Sequence, residues 1–308
     1  MKNKKVGLVL GSGAARGLTH IGVLKAIEEH GIKIDYISGS SIGALIGGAY
    51  AVGMSVEEIE NFALQTNWKL MAKIFSPSLS LSSLVNTKYL LELLRTWFGD
   101  KTFDDLIIPF SAVATDIQTG KAVVLEKGNL LTAIRASISI PVIFSPVTIG
   151  KYKLVDGGLV NPTPVDIVKK NGIEKIIAVN LRRFGNFVIR QNYEEQISKT
   201  ENEVSNLSLN EKVQYFIKHP IESLNSNEND KTPEPKFWSV LYQMFIIVQA
   251  QISDLTMQIA KPDILIEPDT GKFKVFEFGR AKELIDVGYT TAKEQLKNFN
   301  ATLEQSKY

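Results

Sequence analysis

A chain of 308 residues, 44% of them hydrophobic, is long enough to bury a sizeable core. Its 35 basic and 33 acidic side chains leave a net charge of +2, without the clustered basic excess that a nucleic-acid partner requires. The absence of cysteine excludes disulfides, thiolate metal sites and a cysteine nucleophile.

Residues 5–10 read as a buried strand. The apolar run ends at Gly11, too soon for a secretory h-region, so a mature cytoplasmic protein is expected. A Gly-rich loop, 11–17, leads into a helix over 18–30, whose Ile21, Leu24 and Ile27 follow helical spacing up to Gly31. A second strand is expected at 34–38, followed by a turn and a helix through Val52. Ser55-Val56-Glu57-Glu58 is a capping box that opens a helix to about Gln65. Thr87 starts another helix, with a stripe of Tyr89, Leu90, Leu93, Leu94 and Trp97.

Strands return at 109–115 and 122–125 around the turn 116–120, then a short helix at 130–137. Further strands at 152–155 and 175–180 flank a helix at 165–170. This alternation with short connections predicts a largely parallel sheet covered on both faces. The stretch 184–235 is polar, and its end is rich in Asn and broken by Pro, as a surface loop would be. Beyond it Phe237, Leu241, Met244, Val248, Ile252 and Leu255 share one helical face, a last strand is expected at 263–267, and a helix closes the chain at 281–299. The uncharged run 237–253 is shorter than the roughly 20 apolar residues of a membrane span.

Gly39-Ser40-Ser41-Ile42-Gly43 spells G-x-S-x-G between a hydrophobic run and a helix of small residues. In that setting Ser41 is a candidate nucleophile at the tip of a sharp turn, and Gly39 and Gly43 are needed because a Cβ there would strike the neighbouring strand or helix. A triad would require one of three histidines beside Ser41. His20 lies within an apolar helical pattern, His30 sits at that helix's C-terminus where the dipole favours it, and His219 falls in the polar stretch. Activation of Ser41 directly by a carboxylate is the sharper reading. Asp156, ending a strand and followed by Gly157 and Gly158, is the candidate base, although Asp-Gly alone also marks an ordinary turn.

The loop Gly11-Ser12-Gly13-Ala14-Ala15-Arg16-Gly17 has three readings. A dinucleotide fold would want Gly where Arg16 stands and an acidic residue where the second strand ends at Ser38 and Gly39. An oxyanion hole would use the amides of Gly11, Ser12, Gly13 and Ala14. A tight structural turn is the third.

Taken in order, the Gly-rich loop, G-x-S-x-G and Asp156-Gly157-Gly158 resemble the patatin-like phospholipase family. His20-Ile21-Gly22-Val23-Leu24, the run from Ala136 to Pro146, and Asn161-Pro162-Thr163-Pro164 add to the match over about 5–181. The resemblance implies a three-layer α/β/α sandwich with a mainly parallel central sheet. A single such domain is expected over 1–308: a motif-bearing core at about 5–181, a polar insertion at 184–235, and closing helices with a last strand at 237–308, where the C-terminal third carries no motif of the family. The resemblance also implies a Ser–Asp dyad in which Ser41 attacks a lipid acyl ester and Asp156 takes its proton, with no metal or cofactor. Gly11, Ser12, Gly13 and Ala14 would then hold the oxyanion together with the Ile42 amide, and Arg16 would orient the loop or meet a lipid phosphate. Ser12 departs from the family's usual glycine but keeps the backbone donor.

Such a carboxylate base is expected to be partly desolvated, with a raised pKa. A lipid substrate also calls for an apolar channel or a peripheral contact with the inner face of a membrane. Residues 68–75 and the helix from Phe237 are candidates for it, and both could equally pack in the core. A non-catalytic lipid-binding scaffold, an acyltransferase using the same dyad, and a nicotinamide-dependent oxidoreductase resting only on the Gly-rich loop remain as alternatives.

Overall fold

Five consecutive buried residues, Val6–Leu10, form strand β1, as expected of a strand covered on both faces. The structure is a computed structural model, and it describes residues 4–65, 87–181, 237–297 and Phe299. The candidate membrane segment 68–75, the insertion 184–235 and His219 lie outside the described residues. The chain divides into two compact units, 1–183 with 246–308, and 184–245. The first carries all the strands described below.

After β1 come α1 (Thr19–Glu29), β2 (Tyr36–Ser40), α2 (Ile42–Ala51), α3 (Val56–Gln65) and α4 (Lys88–Phe98). Then follow β3 (Phe110–Asp116), β4 (Lys121–Leu125), α5 (Leu130–Ser137), β5 (Val147–Ile149) and β6 (Tyr152–Asp156). The series closes with α6 (Val165–Lys170), β7 (Lys175–Val179), α7 (Phe237–Ala260), β8 (Ile264–Ile266) and α8 (Ala281–Leu296). Three details differ from the sequence expectation. Strand β2 runs on to Ser40, because Gly39 still pairs with Leu10 and Ser40 with Val113. The Gly-rich loop contains a 3-10 turn at Ala14–Leu18, and the short β5 was not anticipated.

The sheet order is β5-β6-β3-β2-β1-β7-β8, with β4 added to β3. Strands β3, β2, β1, β7 and β8 are parallel, whereas β4, β5 and β6 pair antiparallel. Two of the three antiparallel pairs, β3–β4 and β5–β6, follow from tight turns that are too short for a crossover. At the first, the Gly120 amide donates to the Asp116 carbonyl at 2.8 Å and Thr119 Oγ1 to the Asp116 carboxylate at 2.7 Å.

One feature of the register builds the site. Strand β4 occupies one edge of β3. On the other edge β2 pairs as far as Ser40 opposite Val113, and β6 takes over at once with Asp156 opposite Ala114. The residue after β2 and the last residue of β6 therefore meet at one point of the sheet.

Helices cover both faces. Val9, Tyr36, Ile176 and Ala178 pack against Val165 and Val168 of α6 and Met257 and Ala260 of α7. On the opposite face Leu10, Ile37 and Phe110 meet α2 at Gly47. Helices α1 and α8 approach backbone to backbone: a Cβ on Gly22 would lie 2.0 Å from the Ile285 carbonyl oxygen, and one on Gly288 would lie 2.0 Å from that of Thr19.

Three members of the apolar stripe of α7 face outward. Met244, Val248 and Leu255 are exposed, while the buried side carries Ile246, Gln249, Ala250, Ser253, Met257 and Ala260. Among the described residues no helix is long and apolar enough to cross a membrane.

Candidate active site

Ser41 is the residue between β2 and α2, and its backbone is left-handed at φ 56°, ψ −125°. A non-glycine residue in such a conformation is strained by about 1–3 kcal/mol and must be held by its surroundings. Its amide donates to Ser137 Oγ at 3.0 Å, and that hydroxyl donates to the Val113 carbonyl at 2.6 Å. Its carbonyl accepts from the amides of Ala44 and Leu45 in the first turn of α2. The two glycines of the motif are sterically required. A Cβ on Gly43 would lie 2.0 Å from the Leu10 carbonyl oxygen, and one on Gly39 would lie 2.4 Å from that of Gly43.

Asp156 is fully buried, and Ser41 is only 7% exposed. Ser41 Oγ donates to Asp156 Oδ2 at 2.5 Å, and the Gly158 amide donates to Oδ1 at 2.8 Å. The backbone of Asp156 is fixed as well, its amide donating to the Ser139 carbonyl at 2.8 Å and its carbonyl accepting from Thr115 Oγ1 at 2.9 Å. Gly157 must lack a side chain, because a Cβ would lie 2.0 Å from the Val113 carbonyl oxygen. The loop after α5 is tied down by Arg135, which donates to Ser139 Oγ and, at 3.1 Å, to the Ser145 carbonyl. Burial pushes that guanidinium down to about 10.

The Gly-rich loop lies beside this pair, with a division of labour that differs from the expectation. Gly11 and Ser12 were expected as oxyanion donors, but the Gly11 amide donates to the Val179 carbonyl at 3.1 Å and the Ser12 amide to that of Pro162 at 2.8 Å. Both serve to anchor the loop to β7 and to the segment before α6. The amides of Gly13, Ala14 and Ile42 have no hydrogen-bond partner among the described residues. Ala14 also has a positive φ of 48°, which turns the chain at this point. Arg16 holds the loop from outside, its Nε and Nη2 donating to the Phe273 carbonyl at 3.0 and 2.9 Å. Gly17 abuts Ile42, with a built Cβ 2.2 Å from Ile42 Cγ2, so the loop packs onto the first residue of α2.

His20 is fully buried, and its Nε2 lies 2.7 Å from the Gly11 carbonyl oxygen. Burial pulls its pKa down to about 4, against the smaller upward pull of that carbonyl. The neutral ring therefore donates Nε2–H to Gly11 and braces the loop. His30 bonds the Ala26 carbonyl of its own helix. Neither of these histidines is hydrogen-bonded to Ser41.

Two participants escaped the sequence reading. Ser137 was visible only as part of a motif, and nothing in the pattern marked Gln249. That residue is 1% exposed on α7, and its Oε1 receives the Ser12 hydroxyl at 3.4 Å. Its neighbour on the same helix face, Ser253, joins Thr163 Oγ1 and Asn180 Oδ1 at 2.8 Å each. Among the described residues no group of three or more His, Cys, Asp or Glu side chains could hold a metal.

Comparison with known proteins identifies related chains. An uncharacterized NTE family protein of Mycobacterium tuberculosis is 38% identical over 177 residues, covering 58% of this chain and 49% of its own length. The human patatin-like phospholipase domain-containing protein 6 is 36% identical over 183 residues, covering 57% of this chain and 13% of that protein. The Neuropathy target esterase sws of Drosophila melanogaster is 29% identical over 302 residues, covering 95% of this chain and 20% of that protein. The chain thus spans about half the length of the mycobacterial relative and a smaller part of the other two. The family model described as Patatin-like phospholipase matches residues 8–169, from β1 through the turn that presents Ser41 to the strand that ends in Asp156. The chain belongs to the patatin-like phospholipase family.

Proposed function

We propose that the protein hydrolyses acyl esters of phospholipids or lysophospholipids, with Ser41 as nucleophile and Asp156 as its base. The observation that carries this reading is the 2.5 Å contact from Ser41 Oγ to Asp156 Oδ2, with Oδ1 held by the Gly158 amide. A hydroxyl already donating to a fixed, buried carboxylate has its proton directed at the acceptor and its lone pairs free for attack.

Ser41 Oγ adds to the ester carbonyl carbon as its proton passes to Oδ2. The carbonyl oxygen becomes an oxyanion, and the unspent amides of Gly13, Ala14 and Ile42 are the donors available to it. Each preorganised donor of this kind contributes ~3–4 kcal/mol to the transition state, and the N-terminal end of α2 adds favourable potential. Collapse of the intermediate breaks the C–O bond, and Asp156 returns the proton to the departing alcohol or lysolipid. Water then loses a proton to Asp156, attacks the acyl carbon and releases the fatty acid, restoring the Ser41 hydroxyl.

The exposed apolar side chains of α7 support a peripheral membrane contact, which we assign to the cytoplasmic face. The reading is tested by profiling wild type, Ser41→Ala and Asp156→Asn over phospholipids, lysophospholipids, neutral glycerides and short p-nitrophenyl esters. Hydrolysis by wild type and its loss in both folded variants is expected. Near-normal turnover in either variant would end the dyad reading.

A further inference from the structure

Gly158, whose amide holds Asp156 Oδ1, has its open side filled by three polar atoms. A Cβ built there would lie 2.2 Å from Gln249 Nε2, 2.8 Å from Ser12 Oγ and 3.0 Å from Asp156 Oδ1. The carboxamide of Gln249 therefore rests on the Asp156–Gly158 turn, in the space that the missing side chain leaves. Its oxygen accepts the Ser12 hydroxyl at 3.4 Å. The Gln249 side chain is 1% exposed, so its carboxamide is held against that turn by the surrounding packing. The Ser12–Gln249 hydrogen bond joins the Gly-rich loop to α7 through their side chains.

From this geometry we infer that Gln249 is a positioning residue of the dyad. It carries α7 onto the turn after Asp156, couples that turn to the Gly-rich loop through Ser12, and presents N–H dipoles to the Oδ1 side of the carboxylate. Ser41 occupies Oδ2, so Gln249 and Ser12 act from the opposite side and do not touch the reacting atoms. They fix the orientation of Asp156 and favour its anionic form. The inference rests on the dyad reading, but its test fails separately from the test of that reading.

The test is the pH dependence of kcat/KM of the full chain on a soluble p-nitrophenyl ester, for wild type, Gln249→Glu, Gln249→Met and Ser12→Ala. A second carboxyl group at position 249 shares its protons with Asp156. The acid limb of Gln249→Glu is expected to move to higher pH by about one unit, so that turnover on that limb falls about tenfold. Gln249→Met keeps the volume and removes the dipoles, and it is expected to lower kcat severalfold with KM unchanged and to move the acid limb in the same direction by less. Ser12→Ala is expected to resemble it. Acid limbs of Gln249→Met and Ser12→Ala that coincide with wild type, with kcat intact, would overturn the inference whether or not Gln249→Glu folds. Inactivity of wild type, or activity of Ser41→Ala, would instead remove the dyad reading.

Discussion

The strained backbone at Ser41 makes Ser137 a sensitive position, because its hydroxyl both accepts the Ser41 amide and ties it to β3 through Val113. Ser137→Ala leaves the Ser41 amide without that acceptor and is expected to destabilise the fold by about 1–3 kcal/mol. It is also expected to lower kcat by one to two orders of magnitude with little change in KM, since misplacement of a reacting group costs roughly this much. Urea titration and steady-state kinetics on a p-nitrophenyl ester read both effects. His20 makes a prediction about pH. Its folded pKa of about 4 lies below the ordinary histidine value of 6.5, so between these values the unfolded chain binds the extra proton. Stability from this residue is complete above pH 6.5 and is lost as pH falls toward 4, amounting to about 3 kcal/mol. His20→Gln keeps an N–H for the Gly11 carbonyl but does not titrate, and it is expected to flatten urea midpoints across that window.

At the level of elements, the close pairing of α1 and α8 leaves no room for a methyl group. Gly288→Ala is expected to cost about 1–3 kcal/mol and lower the melting temperature, as overpacking does. Helix α7 yields a different prediction. Its exposed Met244, Val248 and Leu255 are expected to support liposome co-sedimentation, and replacing the three with serine is expected to reduce it while activity on a soluble ester persists. The sequence showed that an amphipathic helix was present but not which way it faced. The reason is physical: α7 lies over Ser12, Thr163 and Asn180, whose side chains need polar partners, so Gln249 and Ser253 turn inward and Met244, Val248 and Leu255 turn out. Parallel strands such as β1 and β7 were legible as continuous apolar runs. Strand β5, three residues long with Val147 and Ile149 half-buried, was not.

For the whole molecule, the informative relation is the handover on β3 from β2 to β6. It unites Ser41 and Asp156, which are 115 positions apart. The motifs named both residues in advance, because glycines around each reported close backbone approach. Their contact could not be read from local pattern, since it depends on register between non-consecutive strands. The same holds for the Gly-rich loop: its glycines were evident, but which amides were already committed to Val179 and Pro162 depends on β7 and on the segment before α6. The most direct measurement of the account is fluorophosphonate labelling followed by intact and peptide mass spectrometry, on wild type and Asp156→Asn. One adduct per chain, on Ser41, is predicted in wild type, with labelling slowed by about 10²–10⁴-fold in Asp156→Asn. No adduct, an adduct on another residue, or equal rates in the two proteins would contradict it.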